Sequence, residues 1–284
     1  MSIIRSLLRL GGVGILSLRY YKAFHRRINL KNPTLFDEKI FWLSLHTDTT
    51  MWSKLADKYE VREWVEKTYS KDILSKLLGV WDSPEEIDYE HLPKSFVLKT
   101  NNGCASNILV RDKDKLDIEK TNKQLRKWLK FPYGELTGQK HYTRIKPRII
   151  AEEFLYQKGR EIASLTDYKF FCFDGEVRYC DLLTDRVFNT HTFRKNMYDM
   201  QWQAHSEVFI DHSRLNNEPK PVCFDEMVKI ASTLSKGFPF VRVDLYEINE
   251  KPIFGEMTFM PGLEANFTME FQKQLGDMVK IEKT

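Results

Sequence analysis

Arg242 and Asp244 stand two residues apart in VRVDLY, and Glu256 and Thr258 stand two apart in the following GEMTF. Val241, Val243 and Leu245 alternate with Arg242, Asp244 and Tyr246, the period of a half-buried strand. Glu250-Lys251-Pro252 marks a reversal before Ile253 and Phe254 resume. Side chains two apart on a strand share a face, so Arg242 joins Asp244 and Glu256 joins Thr258 on facing strands. Two carboxylates beside an arginine repel and desolvate one another unless something cationic or phosphorylated sits between them. A set of oxygen ligands suits Mg2+, which is held by one or two carboxylates plus substrate phosphates. Taken alone, the stretch also reads as a solvated hairpin face.

A second group of polar residues sits in SFVLKTNNGCASNILV, residues 95–110. Phe96-Val97-Leu98 reads as a strand ending at Lys99, with Ile108-Leu109-Val110 as its hairpin partner. Between them TNNGCASN is small and polar, and includes Asn101, Gly103 and Ser106. Such a loop can lay backbone N–H groups and hydroxyls over phosphates, with a lysine as point charge. It lacks GxxxxGK[ST] and opens no helix, so it is not the usual phosphate loop, and alone it is also an ordinary hairpin turn. Further on, DYKFFCFDGEVRYCDLLTDR is a hairpin: Tyr168–Phe173, a turn at Asp174-Gly175, then Val177–Thr184. Asp167 and Lys169 share a face there, and Arg178 and Arg186 follow on the returning side.

These residues need elements to position them. Asn32-Pro33-Thr34 is expected to start a helix running through Leu43, and a second helix is expected near 54–68, carrying Lys58 in LADKYEVREWV. Leu77–Trp81 reads as a short strand, 113–130 as a helix, 131–147 as a loop, and Arg148–Leu155 as a strand leading into the polar turn QKGRE. Residues 187–222 read as loop-rich, 223–236 as a helix with Met227, Ile230, Ala231 and Leu234 on one side, and Asn266–Lys280 as a terminal helix. There are no internal repeats. A helix-and-hairpin region followed by a second antiparallel sheet gives an α+β fold class.

At 284 residues the chain supports one large or two modest domains. Cys104, Cys172, Cys180 and Cys223 show no CxxC or Cys/His metal spacing and are expected to be buried free thiols. No catalytic role is assigned to the seven scattered histidines. The net charge of +4 is uneven: of 44 lysines and arginines, seven lie in residues 1–31 with no acid, leaving 37 against 40 acidic residues in the remainder. The basic balance is therefore a property of the tail and gives no argument for nucleic acid as a partner. Leu10–Leu18 is too short to span a bilayer, which takes about 20 apolar residues. Arginines beside Ile3, Ile4, Leu7 and Leu8 suit an amphipathic helix that lies on an anionic membrane surface or packs on the protein itself.

Set in order, NPTLFDEKIFWL, LADKYEVREWV, FVLKTNNGCASN, IAEEFL, DYKFFCFDGEVRY and VRVDLY with GEMTFMPG resemble an ATP-grasp enzyme. More narrowly they resemble the TupA-like branch, named for a teichuronopeptide biosynthesis protein, whose members sit among genes for bacterial surface polysaccharides. The motifs span about residues 32–262. The resemblance implies an ATP-grasp fold, two α+β subdomains whose antiparallel sheets clamp ATP, after a short helical N-terminal segment. On that basis residues 1–31 are a basic amphipathic segment, 32–94 a helical N-terminal region, 95–150 the first subdomain and 151–284 the second, with the metal site.

The resemblance also implies roles. Lys58 and Lys99 would hold the ATP phosphates, and the Asn101–Asn107 loop would close over the γ-phosphate. Glu152, Glu153, Phe154 and Leu155 would form the hinge whose backbone bonds the adenine edge. Asp167 would bond the ribose hydroxyls, and Lys169 and Arg186 would face the phosphates. Asp244 and Glu256 would bind Mg2+, and Arg242 would stabilise an anionic transition state. Asparagine is usual where Thr258 stands, and the usual α/β domain of roughly a hundred residues ahead of the grasp is absent from 32–94.

The chemistry this implies is ATP-dependent activation of a carboxylate as an acylphosphate, attacked by an amine. The expected activity is a carboxylate–amine ligase joining an amino acid or similar amine to a uronic-acid carboxyl of capsule or O-antigen. The partners are then a small amine and a sugar or polysaccharide acceptor, in the cytoplasm or on the inner face of its membrane. Alternatives are a glycosyltransferase acting on a nucleotide sugar, against which stands the want of anything resembling a DxD run in a nucleotide-sugar fold, and an ATP-dependent sugar phosphotransferase.

Overall fold

The computed structural model describes residues 2–157, 165–187 and 192–282; the side chains of residues 1–10 and most of the expected turn QKGRE lie outside the described residues. The helices are α1 (Ser2–Phe24), α2 (Phe36–His46), α3 (Thr50–Ala56), α4 (Val61–Thr68), α5 (Ile118–Leu129), α6 (Tyr133–Thr137), α7 (Phe224–Leu234) and α8 (Met269–Met278). The strands are β1 (Leu77–Trp81), β2 (Phe96–Thr100), β3 (Asn107–Val110), β4 (Ile149–Glu153), β5 (Asp167–Phe173), β6 (Glu176–Thr184), β7 (Arg194–Tyr198), β8 (Val241–Ile248) and β9 (Lys251–Thr258). Helices with two wholly antiparallel sheets make the α+β class expected from the sequence.

The chain divides into two compact units. The first comprises Met1–Ile15, Thr49–Trp64 and Leu74–Leu155; the second comprises Leu16–Asp48, Val65–Ile73 and Tyr156–Thr284.

In the first unit the strand order is β1-β4-β2-β3. Phe96, Leu98, Ile149 and Ala151 alternate onto one face and pack with Val110, Ile87 and Leu125 of α5 into a core. The intervening positions, Val97 and Lys99 on β2 and Ile150 and Glu152 on β4, point to the other face. α5 begins where Asp117 accepts from the Lys120 amide, after a short 3-10 turn at Lys113–Lys115, so the helix is shorter than the expected 113–130. The expected loop 131–147 instead holds α6 and a 3-10 segment, Lys140–Arg144. The single helix expected at 54–68 is two. Asp57 turns its carboxylate onto the amides of Tyr59 and Glu60, breaking α3 from α4 and leaving Lys58 in the turn.

In the second unit the order is β7-β6-β5-β8-β9. Tyr168, Phe170, Val243 and Leu245 lie on one face, where Phe170 meets Phe224 of α7. On the opposite face Phe171 packs with Phe36, Phe240 and Phe267, while the same face carries Asp167, Lys169, Arg242 and Asp244 further along the strands. The segment expected to be loop, 187–222, contains β7. The first helix after the tail starts at Phe36, not Asn32: Glu38 accepts from the amides of Thr34 and Leu35 and holds the chain extended up to that point. The β8–β9 reversal is at Asn249 and Glu250, with φ of 52° and 62°, two residues earlier in effect than the proline suggested. Two central residues with positive φ are what a tight two-residue hairpin requires. α8 spans less than the expected terminal helix and lies against α2: a Cβ on Gly276 would meet Thr34 O at 2.2 Å, so only glycine allows this approach.

α1 kinks at Gly11, with φ of 63°. Beyond the kink Ile15, Leu16 and Tyr20 are buried, and the Tyr20 hydroxyl donates to Glu38 at 3.3 Å. This half of the tail packs on the protein body. No helix among the described residues is long and apolar enough to cross a membrane. Of the four cysteines, all free, Cys172, Cys180 and Cys223 are buried as expected, but Cys104 is exposed because the 101–106 loop turns it outward.

Candidate functional site

In the first unit, Glu152 organises the basic side chains. Its Oε2 accepts from Lys99 Nζ at 2.5 Å and its Oε1 from Arg62 at 3.1 Å, and Arg62 also donates to Ser75 O at 2.6 Å. Burial opposes the charge on Glu152, yet Lys99 and then Arg62 hold its pKa below the ordinary carboxylate value. Beyond the backbone role expected of Glu152, its side chain orients Lys99 and Arg62. Arg62 was not singled out, and the signal for it was only its place four residues beyond Lys58 in LADKYEVREWV.

Lys58 Nζ donates to Gly103 O at 2.5 Å, tying the α3–α4 turn to the 101–106 loop. Asn101 is fully buried and fixes the root of that loop: Nδ2 donates to Asp57 Oδ2 and Lys146 O, and Oδ1 accepts from the Arg148 amide at 2.6 Å. Ser106 Oγ donates to Thr100 O at 3.2 Å across the loop's neck. Lys58, Lys99, Gly103 and Ser106 are therefore gathered at one end of the β2–β3 hairpin. Glu153 is at the end of β4, accepting from Lys76 N at 2.6 Å. Phe154, with the Arg111 guanidinium over its ring at 5.2 Å, and Leu155 follow past the end of the strand.

In the second unit the charges form a row. Asp181 on β6 stands opposite Lys169 on β5, Lys169 opposite Asp244 on β8, and Asp244 opposite Glu256 on β9. Opposed residues place their Cβ atoms about 5 Å apart on one face. Lys169 Nζ donates to Asp244 Oδ2 at 2.5 Å. Arg242 donates Nε to Asp244 Oδ1 at 2.6 Å and a second nitrogen to Oδ2 at 2.7 Å, to Glu256 Oε1 at 3.3 Å and to Thr258 Oγ1 at 3.2 Å. Thr258 in turn donates to Glu256 at 3.1 Å. Arg242 and Lys169 thus supply the positive charge that the facing carboxylates demanded. Asp244 is buried, which disfavours its charge, but Arg242 and Lys169 keep its pKa below the carboxylate norm. Lys169 stays charged despite burial and the repulsion of Arg242, because Asp167, Asp244 and Glu256 surround it. Asp167 accepts from Arg186 at 2.9 Å and lies 4.0 Å from Lys169.

Between Asp244 and Leu245 the β8–β9 register slips: Asp244 pairs with Glu256 but Leu245 pairs with Phe254, so Gly255 bulges. The slip lets Phe254 and Met257 both point into the core while Glu256 and Thr258 join the row.

The donor set fits a magnesium ion bound through substrate phosphates: two carboxylates, Asp244 and Glu256, and the Thr258 hydroxyl, all hard oxygens. Among the described residues no group of three or more histidines, cysteines or carboxylates could hold a metal alone.

The TupA-like ATP-grasp family model matches residues 38–280. The chain belongs to this family. Among solved structures it is similar to a D-alanine–D-alanine ligase from Bacillus anthracis complexed with ATP, at 13% identity and a TM-score of 0.48, covering 81% of this chain and 66% of the ligase. It is likewise similar to an L-amino acid ligase from Bacillus licheniformis, at 13% identity and a TM-score of 0.48, covering 80% of this chain and 49% of the ligase. A D-cycloserine synthetase matches at 13% identity and a TM-score of 0.46, over 84% of this chain and 75% of that one. The chain thus spans just under two thirds of the first of these and half of the second. No curated protein matches it.

Proposed function

We propose that the protein is an ATP-dependent carboxylate–amine ligase that joins an amino acid or other amine to a uronic-acid carboxyl during bacterial surface-polysaccharide synthesis. The observation that carries this reading is the Lys169–Asp244–Glu256 row, completed by Arg242 and Thr258 on the same face. Membership of the ATP-grasp family supports it.

In this reading Lys58 and Lys99 hold the ATP phosphates in the first unit, Lys99 oriented by Glu152, and the loop through Asn101, Gly103 and Ser106 covers the γ-phosphate. Backbone groups of Glu152–Leu155 take the adenine edge. In the second unit Asp167 takes the ribose, and Lys169 and Arg186 steady the phosphates. Asp244, Glu256 and Thr258 would hold Mg2+, which neutralises phosphate charge when bound. Arg242, fixed by Asp244, offers its remaining N–H groups to the acylphosphate oxygens as charge develops. The acceptor is a sugar or polysaccharide carboxylate in the cytoplasm.

Thermal shift of the purified protein tests the nucleotide site. ATP, ADP, GTP and UDP-sugars are compared with and without magnesium, since a ligand of the folded state raises the melting temperature with the logarithm of its concentration over its dissociation constant. A magnesium-dependent shift with ATP or ADP, lost in Lys99→Ala and Glu256→Ala, is expected. A shift with UDP-sugars alone would replace the ligase with a glycosyltransferase. ADP release with a sugar hydroxyl and no amine would make it a phosphotransferase.

A further inference from the structure

In the first unit α5 turns to solvent a row of lysines that none of the roles above uses. Lys120, Lys123, Lys127 and Lys130 follow at steps of three, four and three residues, the spacing that sets side chains one above another on a helix. All four are exposed, and no acid among the described residues pairs with any of them. Other exposed lysines do have such partners: Lys54 has Glu63, Lys146 has Asp82 and Lys273 has Asp277. Arg126, beside the row, is taken by Glu85 at 2.6 Å. Residues 118–130 carry five basic residues against one acid, Glu119, a net of +4, whereas residues 32–284 carry 37 against 40, a net of −3.

The row works against the helix that bears it. Like charges three and four residues apart repel, and Lys120 in the first turn opposes the positive end of the helix dipole. Packing does not call for it either, since α5 reaches the core through Leu125, Trp128 and Leu129.

The row also leads to the loop proposed to cover the γ-phosphate. Asn102 Nδ2 donates to Trp128 O and Leu129 O at 3.4 Å each, joining that loop to the last turn of α5. A Cβ on Gly103 would stand 3.2 Å from the Tyr133 ring, so the loop lies on the residues just past the row. At this end Phe131, four residues after Lys127, is 44% exposed.

From Lys120 to Lys130 the row spans about 15 Å by the rise of a helix, longer than a single sugar. One uronic acid offers one carboxylate and engages part of the row. A chain with a carboxylate on each repeat engages all of it, and the C–H face of a sugar ring suits Phe131. A lipid surface matches less well, because membrane-surface helices set apolar side chains beside their cations, and Leu125, Trp128 and Leu129 face the core instead. Single-stranded nucleic acid is held by aromatic rings interleaved with cations, and this row has one ring, at its end.

We propose that Lys120, Lys123, Lys127, Lys130 and Phe131 form a docking track for an anionic polysaccharide chain, which makes the acceptor a polymer and not a free sugar. The chain lies along α5 and meets the 101–106 loop at the Lys130 end. The inference rests on the ligase reading for the uronic-acid chemistry of the acceptor, and its test is separate from the nucleotide site.

Binding of galacturonic acid, its trimer and its hexamer to the full-length protein is measured by calorimetry. Dextran serves as the neutral control, and phosphatidylglycerol vesicles and single-stranded DNA as rival polyanions. The hexamer is expected to bind at least tenfold more tightly than the monomer, and added salt should weaken it. Lys120→Gln, Lys123→Gln, Lys127→Gln and Lys130→Gln together should weaken the hexamer at least tenfold and keep the Mg·ADP thermal shift. Glutamine matches lysine in helix propensity, so α5 is retained. Arginine at the same four positions should keep hexamer binding, as should glutamine at Lys229, Lys236, Lys251 and Lys280, four exposed lysines of the second unit. A hexamer bound no more tightly than the monomer, or bound normally by the α5 glutamine variant, overturns the track and leaves the ligase reading with a free sugar as acceptor. Tighter binding of vesicles or DNA through the same four lysines overturns it in favour of that partner. Length-dependent hexamer binding without any Mg·ADP response supports the track and removes the ligase reading.

Discussion

Lys169 Nζ and Asp244 Oδ2 are 2.5 Å apart in the middle of a five-stranded sheet, with the aspartate side chain 2% exposed. The pair is too deep for either charge to be satisfied by water alone. Lys169→Met leaves Asp244 with Arg242 as its one remaining cationic partner among the described residues. Breaking a buried ion pair on one side costs about 3–5 kcal/mol, and the surviving arginine puts this case near the lower figure. The folded pKa of Asp244 is depressed, so its contribution is present above the ordinary carboxylate pKa and disappears as pH falls through the folded value. With Lys169 gone the depression shrinks, and the acid unfolding midpoint, followed by circular dichroism, is expected to move to higher pH.

Asp37 behaves in the opposite sense. Burial, followed by the field of Glu264, pushes its pKa up to about 8 from an unfolded value of 3.8. Between those values the unfolded chain ionises at Asp37 and the folded chain keeps its proton. Stability therefore falls with rising pH across that window, by at most about 1.4 kcal/mol per unit. Asp37→Asn removes the titration and retains an acceptor for the Glu264 amide. Its melting temperature should exceed that of wild type at pH 8, and the difference should narrow toward pH 5.

Glu152 bridges Lys99 and Arg62. Glu152→Gln removes the charge that orients both while conserving shape. We expect a loss of about 1.5–3 kcal/mol in Mg·ATP affinity, the range for a charged hydrogen bond, measured by calorimetry. A change of stability alone, with unaltered affinity, would show that Glu152 braces the fold and not the lysine.

Gly255 supports the carboxylate pair through its lack of a side chain. A Cβ there would lie 2.9 Å from Asp244 O, a backbone atom with no freedom to yield. Gly255→Ala is expected to destabilise by about 1–3 kcal/mol, as overpacking does. It should also weaken the magnesium dependence of nucleotide binding, because the bulge sets Asp244 opposite Glu256.

Strands and their partners were legible wherever alternation was clean. VRVDLY announced its buried face, and with it the face of Asp244, whereas DYKFFCF and FVLK read as strands without showing that β5 is buried on both faces. What was hidden is what alternation does not encode. GEMT reads as simple alternation, so the bulge at Gly255 was invisible. Asp57 ends α3 with a side-chain turn inside a segment of good helix formers. Asp181 and Lys195 come together because β6 pairs with β7, and β7 lay in a stretch whose polar composition reads as loop. Glu264 sits outside any strand, placed by hydrogen bonds to Asp37 and Gln272 that no local pattern carries.

Gln272 also donates to Asp37 itself, 235 positions away, and Gly276 closes on Thr34 beside them. On the ribosome α2 is made early, its Phe36 and Phe41 side chains belonging to a core that α8 completes. At about 5–20 residues per second, roughly 10–50 s separate the two helices. The first unit is fully synthesised at Leu155, long before that contact forms. In the nascent chain α2 therefore waits through that interval with an apolar face open to chaperones.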